Sequence, residues 1–201
     1  VQAIQKKSDI PVRIDTGDRP DQSFHILGWT PNGLEALYLA RDRYSQWVEL
    51  RAADPATGRS RVVVSERRDT FIEGLRFSEA ADRFLTFVPG TDRFLWLSDR
   101  DEWYHLYLYD LSGRLLGQVT KGRFPVYSVD AIDPKAGVVY FTAQGDSTQP
   151  YDAHLYRTGL SAGPVVRQTE GRGLHLTRFA PTRTHFLLTS SSVTTPTRTE
   201  L

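Results

Sequence analysis

The chain has 201 residues, enough for one ordinary domain or one large all-β domain with a substantial core. Its 25 Lys and Arg against 24 Asp and Glu leave a net charge of +1, without the basic excess of a nucleic-acid binder; the absence of cysteine excludes a disulfide framework and any Cys-ligated zinc or iron–sulfur site. Apolar runs are short, as at Val138 to Phe141, so no membrane span is expected, and a start at Val1-Gln2-Ala3-Ile4 with neither methionine nor signal peptide reads as an excised piece.

Val1 to Lys6 and Pro11 to Ile14 read as the last two strands of a unit that begins earlier. From Trp29 a repeat sets in, in which an apolar residue, any residue, proline and a turn precede an apolar run. The four instances are Trp29-Thr30-Pro31 before Leu37 to Leu39, Phe87-Val88-Pro89 before Phe94 to Leu97, Ile132-Asp133-Pro134 before Val138 to Phe141, and Phe179-Ala180-Pro181 before Phe186 to Leu188. The prolines are 58, 45 and 47 residues apart. Each instance reads as strand, tight turn, strand, because proline and Asn-Gly or Gly-Thr punctuate β-rich runs at turn positions.

A third strand with period-2 alternation follows in three units: Trp47 to Ala52, His105 to Tyr109, and His154 to Arg157. Second turns at Asp54 to Gly58, Asp110 to Gly113 and Gly159 to Gly163 lead to short fourth strands at Arg61 to Ser65, Leu115 to Thr120 and Val165 to Thr169. Four strands recurring in this way are the mark of a propeller blade. A β-sandwich also spaces its turns evenly, but it does not account for the recurring apolar-x-Pro and His-Leu-Tyr words. The expected fold is therefore all-β: a partial β-propeller of about four blades of four antiparallel strands, three complete and two partial, the last stopping at Thr197 to Leu201. Such a piece leaves two blade surfaces open, to be covered by further chain or by a second copy.

Gly159-Leu160-Ser161-Ala162-Gly163 matches the G-x-S-x-G nucleophile elbow, but Pro164 to Gln168 after it is a β-run where an elbow needs a helix, and no Asp follows Ser161. A hairpin turn is the expected reading, and no catalytic residue is assigned. Asp15, Asp18 and Asp21, and the group Asp99, Asp101 and Glu102, lack calcium-loop spacing and read as turn formers; no metal or cofactor is expected. His105 and His154 open equivalent strands, which points to a structural role shared by the blades, and His25, His175 and His185 have no partner at ligand spacing. The aromatics between Phe94 and Tyr109 read as core between blades.

The first repeat interval exceeds the others by an insertion at Asp69 to Ala80, at a blade entry, where binding groups tend to sit. Within it, Phe71, Glu73, Arg76 and Phe77 are candidates, and a short helix over Glu79 to Phe84 capped by Ser78 is the structural alternative.

The segment Phe94-Leu95-Trp96-Leu97-Ser98-Asp99-Arg100-Asp101-Glu102-Trp103-Tyr104-His105-Leu106-Tyr107-Leu108-Tyr109-Asp110 resembles the N-terminal propeller of the dipeptidyl peptidase IV family of serine peptidases. Gln118 to Gly122, Val138 to Ala143, His154-Leu155-Tyr156 and Thr194 to Thr197 resemble it too. Asp99 stands where that family usually has Glu, and Glu102 where it usually has Gly, so the turn there is expected to be remodelled. The resemblance covers nearly the whole chain and implies that residues 1–201 are the C-terminal half of the propeller. It further implies an exopeptidase releasing Xaa-Pro or Xaa-Ala dipeptides, with the Ser, Asp and His on an attached α/β-hydrolase domain absent from this chain. The fragment alone is then inert, the peptide substrate meets it only in the parent, and the parent is a homodimer in the periplasm or another extracytoplasmic space. The family's paired glutamates, which hold the substrate's amino terminus, have no counterpart here. By the same resemblance Phe71, Arg76 and Phe77 become substrate-binding candidates. The alternative from another class is a self-standing propeller module that binds proteins or glycans.

Overall fold

The computed structural model describes residues 11–72 and 84–201. Its strands form four antiparallel sheets, three of four strands and one of three, each ordered as in the sequence. No helix occurs among the described residues. The chain divides into two compact units, residues 1–75 and 76–201.

The first unit holds β1 (Gln22–Trp29), β2 (Ala36–Asp42), β3 (Trp47–Ala53) and β4 (Ser60–Arg67). Alternation sends Leu37, Leu39, Val48, Leu50 and Val64 into its core. Tyr38, Ala40 and Ala53 form a second buried cluster, against which Ile14 and Trp47 pack. Ile14 reaches that cluster because the segment expected to be a strand at Pro11 to Ile14 is not one. It forms no ladder; the Asp15 N–H bonds to the Gly58 carbonyl at 2.8 Å and Ser60 Oγ to the Asp15 carbonyl at 2.6 Å. The segment thus covers the sheet instead of extending one, and Pro11 could not have donated to a ladder. Its companion, Val1 to Lys6, lies outside the described residues.

The second unit holds three sheets: β5 (Leu85–Phe87), β6 (Arg93–Ser98), β7 (His105–Asp110), β8 (Leu115–Gln118); then β9 (Val126–Asp133), β10 (Val138–Ala143), β11 (His154–Gly159), β12 (Val166–Arg167); then β13 (Leu174–Phe179), β14 (Phe186–Ser191), β15 (Arg198–Glu200). The proline turns explain the repeat. Thr30 N–H bonds to the Glu35 carbonyl, Val88 to Arg93 and Ala180 to His185, each at 2.9 Å, and Asp133 pairs with Val138 in the remaining unit. One closure, with proline always next to the donor, recurs in all four sheets. Phe94, Trp96, Tyr107 and Tyr109 are core as expected, whereas Trp103, in the turn between β6 and β7, is exposed; Phe94 stacks on its cross-strand partner Tyr109 at 5.8 Å, and Phe141 on Tyr156 at 5.9 Å one sheet later. Leu174, Leu176 and Leu187 remain 45%, 52% and 46% exposed on the last sheet, the open blade surface anticipated from the repeat.

Two positions carry left-handed backbone that bears on stability. Gly58 has φ 74°, and a Cβ there would lie 2.1 Å from the Arg13 carbonyl oxygen. Glu102 has φ 79° in a turn closed by its N–H to the Asp99 carbonyl at 3.0 Å. The turn therefore keeps a glycine-like conformation although its residue is Glu, which costs about 1–2 kcal/mol for an L side chain. Gly58→Ala should destabilise the chain by at least about 1 kcal/mol, since both the angle and the space are wrong. Glu102→Gly should stabilise it by about 0.5–1 kcal/mol, because glycine's own entropy cost offsets part of the relief. Denaturant unfolding of both variants checks the opposite signs.

Candidate functional site

In the second unit, the first strands of the three sheets, β5, β9 and β13, converge on a cavity of about 290 Å³. Its walls are Phe87, Pro89, Ile132, Phe179 and Pro181, so the repeat's own proline turns form part of the rim. Only two lining residues are charged, Asp130 and Arg183.

Asp130 arrives there through a bulge. Tyr140 pairs with Ala131 and Phe141 with Val129, which leaves Asp130 as the extra residue of β9. A bulge re-aims one side chain without changing the rest of the strand. The carboxylate accepts hydrogen bonds from Thr142 Oγ1 at 2.8 Å and Ser128 Oγ at 3.3 Å, and it has no cationic partner among the described residues. Loss of hydration raises its pKa to about 6, and the two hydroxyls only partly oppose that rise. Arg183 sits in the turn between β13 and β14 at φ 60°, its N–H on the Ala180 carbonyl at 2.8 Å; its guanidinium has no ion-pair partner among the described residues.

The spacing of β9 and β13 is set by two histidines. His105 Nε2 donates to the Gly122 carbonyl at 3.0 Å, so its Nδ1 must accept from the Thr120 hydroxyl at 3.1 Å, and Thr120 Oγ1 in turn accepts the Leu106 N–H at 2.9 Å. Phe124 meets the His105 ring edge-on at 5.2 Å, and the Val126 N–H bonds to the Tyr104 carbonyl at 2.8 Å, which launches β9. The next sheet repeats the threonine half of the device, while His154 Nε2 is buried without a hydrogen-bond partner. His154 Nδ1 lies 3.0 Å from Thr169 Oγ1, which accepts the Leu155 N–H at 3.2 Å. Here the His154 ring stacks on His175 of β13 at 4.3 Å, and His175 Nδ1 donates to the Ala153 carbonyl at 3.1 Å. The structural role expected of His105 and His154 is what this geometry supplies. It also explains why β8 and β12 stop short of Thr120 and Thr169: those threonines turn inward. His175, which spacing gave no partner, is the third member of the seam.

The remaining candidates fall as follows. Ser161 is in a hairpin turn: the Ala162 N–H bonds to the Gly159 carbonyl at 3.1 Å, and β12, a strand, comes next. No group of three metal-ligating side chains occurs among the described residues. Phe71 is 51% exposed beyond β4 in the first unit, while the neighbouring Ile72 is buried with its N–H on the Ser45 carbonyl at 2.7 Å. Glu73, Arg76, Phe77 and the helix expected from Ser78 lie outside the described residues, apart from the buried Phe84 at its end. Asp130 and Arg183 were missed by the sequence reading; the available signal was a lone acid inside the otherwise uncharged run from Val126 to Ile132.

The two most strongly shifted groups oppose one another in pH. Burial, then the nearby His175, pushes His154 down to about 4, so below its ordinary value near 6.5 the unfolded chain takes up the proton first and stability falls as pH drops from about 6.5 to 4. Asp130 is raised instead, so the folded chain holds the proton between about 3.8 and 6 and stability is lost as pH rises through that window. The slopes offset each other. Asp130→Asn should therefore be more stable than the parent above pH 6 and lose stability more steeply between pH 6.5 and 4. Melting temperatures across pH 3.5–8 for both proteins measure this; superimposable profiles would contradict it.

Comparison with known proteins places this geometry in context. A family model described as the dipeptidyl peptidase IV (DPP IV) N-terminal region matches residues 2–197. Dipeptidyl peptidase 4 of Arthroderma otae is 36% identical over 141 residues, covering 70% of this chain and 18% of the relative. Probable dipeptidyl peptidase 4 of Aspergillus flavus is 27% identical over 158 residues, covering 76% and 20%. The crystal structure of Porphyromonas gingivalis dipeptidyl peptidase 4 superposes with a TM-score of 0.78 at 20% identity, covering 92% of this chain and 25% of that one. A putative dipeptidyl aminopeptidase IV from Bacteroides ovatus gives 0.70 at 19%, covering 89% and 27%. The chain thus spans about a fifth of the length of these curated relatives.

Proposed function

The chain belongs to the dipeptidyl peptidase IV N-terminal region family, and from that premise we propose that it is the non-catalytic, substrate-shaping propeller portion of a serine exopeptidase releasing Xaa-Pro or Xaa-Ala dipeptides. The observation that carries this reading is the family match over residues 2–197, which takes in every strand but β15. Two further features support it. Ser161, the one G-x-S-x-G serine, is held in a hairpin turn with a strand behind it, which fits a propeller whose partner domain carries the hydrolytic serine. The first strands of three successive sheets border a common cavity, the place where a propeller offers side chains to a ligand. The insertion after Asp69, with Phe71, Arg76 and Phe77, then shapes the path of the peptide, and the parent works outside the cytoplasm.

The test compares the full-length protein with the 201-residue chain on Xaa-Pro anilides. Hydrolysis is expected from the former and none from the latter. In the full-length protein, Arg76→Ala with Phe77→Ala should raise KM for peptides of six or more residues several-fold and leave kcat for a dipeptidyl anilide unchanged. Absence of Xaa-Pro hydrolysis by the full-length protein would sink the peptidase reading and select a protein- or glycan-binding module. Unchanged KM would remove the insertion from the substrate path.

A further inference from the structure

We propose that the cavity between β5, β9 and β13 is a binding site for a free dipeptide, whose ammonium sits on Asp130 and whose carboxylate sits on Arg183. The argument starts from charge. A carboxylate withdrawn from water and satisfied only by the hydroxyls of Ser128 and Thr142 has no cationic partner among the described residues, and Arg183, which lines the same cavity, has no ion-pair partner among them either. Removing an ionised group from water is costly unless it is paired. A ligand carrying both signs supplies both partners at once. A second depression, beside Asp152 and Arg172, offers no such opening, because those two already pair at 2.6 Å.

Size and lining narrow the class. At about 290 Å³ the cavity lies at the small end of ligand pockets, which run from about 300 Å³ upward, so it suits a molecule of dipeptide size. Phe87, Phe179, Pro89 and Pro181 make the rest of the lining largely apolar, which suits small apolar side chains or a pyrrolidine ring. That the dipeptide is the enzyme's own product rests on the proposed function; binding itself does not.

The probe is Ala-Pro, titrated by calorimetry into the full-length protein with any reactive serine blocked by a fluorophosphonate. Saturable binding is expected, weakened at least tenfold in Asp130→Asn and in Arg183→Gln, and weakened likewise for N-acetyl-Ala-Pro and for Ala-Pro amide. Affinity should peak near pH 7, since Asp130 must have lost its proton and the ligand's amino group, near 7.7–8.0 when free, must keep its own; Arg183 is the other charged residue of the lining. Arg183→Gln changes an exposed turn, so it keeps the test open if Asp130→Asn fails to fold. No saturable binding, binding indifferent to both substitutions, or equal affinity for the N-acetylated peptide would overturn the proposal. Xaa-Pro hydrolysis is measured separately on the unblocked enzyme, so a failure of the peptidase reading is seen apart from a failure of this one.

Discussion

Each seam between sheets in the second unit hangs on one buried threonine hydroxyl. Thr120 and Thr169 each accept a backbone N–H at the start of the third strand and bond the histidine ring that opens it. A hydroxyl has one proton and two lone pairs, so both contacts can be met at once without water. From there the geometry is inherited: His105 fixes Gly122 and Phe124, these fix the start of β9, and His154 fixes β13 through His175. The cavity exists because β5, β9 and β13 are held at the spacing these seams impose. Burial, then the second histidine beside it, keeps His154 neutral well into the acid range.

The fold was legible in the sequence wherever structure is local. The proline turn closes over a fixed five-residue span in every sheet, so it leaves the same word each time. His-Leu-Tyr recurs because the histidine must open the strand while the two residues after it enter the core. What failed was reading partnership into composition. Pro11 to Ile14 has the makeup of a strand, but a ladder needs a free edge in register, and this segment meets a sheet face through Ile14 and a turn through Asp15. Glu102 shows the reverse: the turn's conformation outlasted the loss of the residue that suits it best, because the flanking strands β6 and β7 fix its ends.

The candidate site was less legible, for a physical reason. Period-2 reading assigns each residue of a strand to one face, and a bulge breaks that assignment at one position. Asp130 is that position, and the hydroxyl that holds it most closely, Thr142, is twelve residues away on β10. Arg183 looked like an ordinary turn residue because its significance lies in which neighbouring strands border the turn. Phe71 drew attention through an insertion, a feature of chain length, and its ring is half exposed.

The chain supplies its own control for the unpaired acid. The almost wholly buried carboxylates are answered by arginines: Glu49 lies between Arg19 at 2.8 Å and Arg51 at 2.7 Å, Asp152 faces Arg172 at 2.6 Å, and Asp110 faces Arg114 at 3.1 Å. Breaking such a pair strands a charge, which is why these partners travel together. Asp130, partly buried, has two hydroxyls in place of an arginine, and it lies where three strands leave a cavity. A carboxyl kept there with hydroxyls alone costs folding stability at neutral pH, which an asparagine of the same shape would avoid. Such a cost is ordinary at functional sites, where unpaired charge and strained backbone gather, and Arg183 at φ 60° brings the second of these to the same rim.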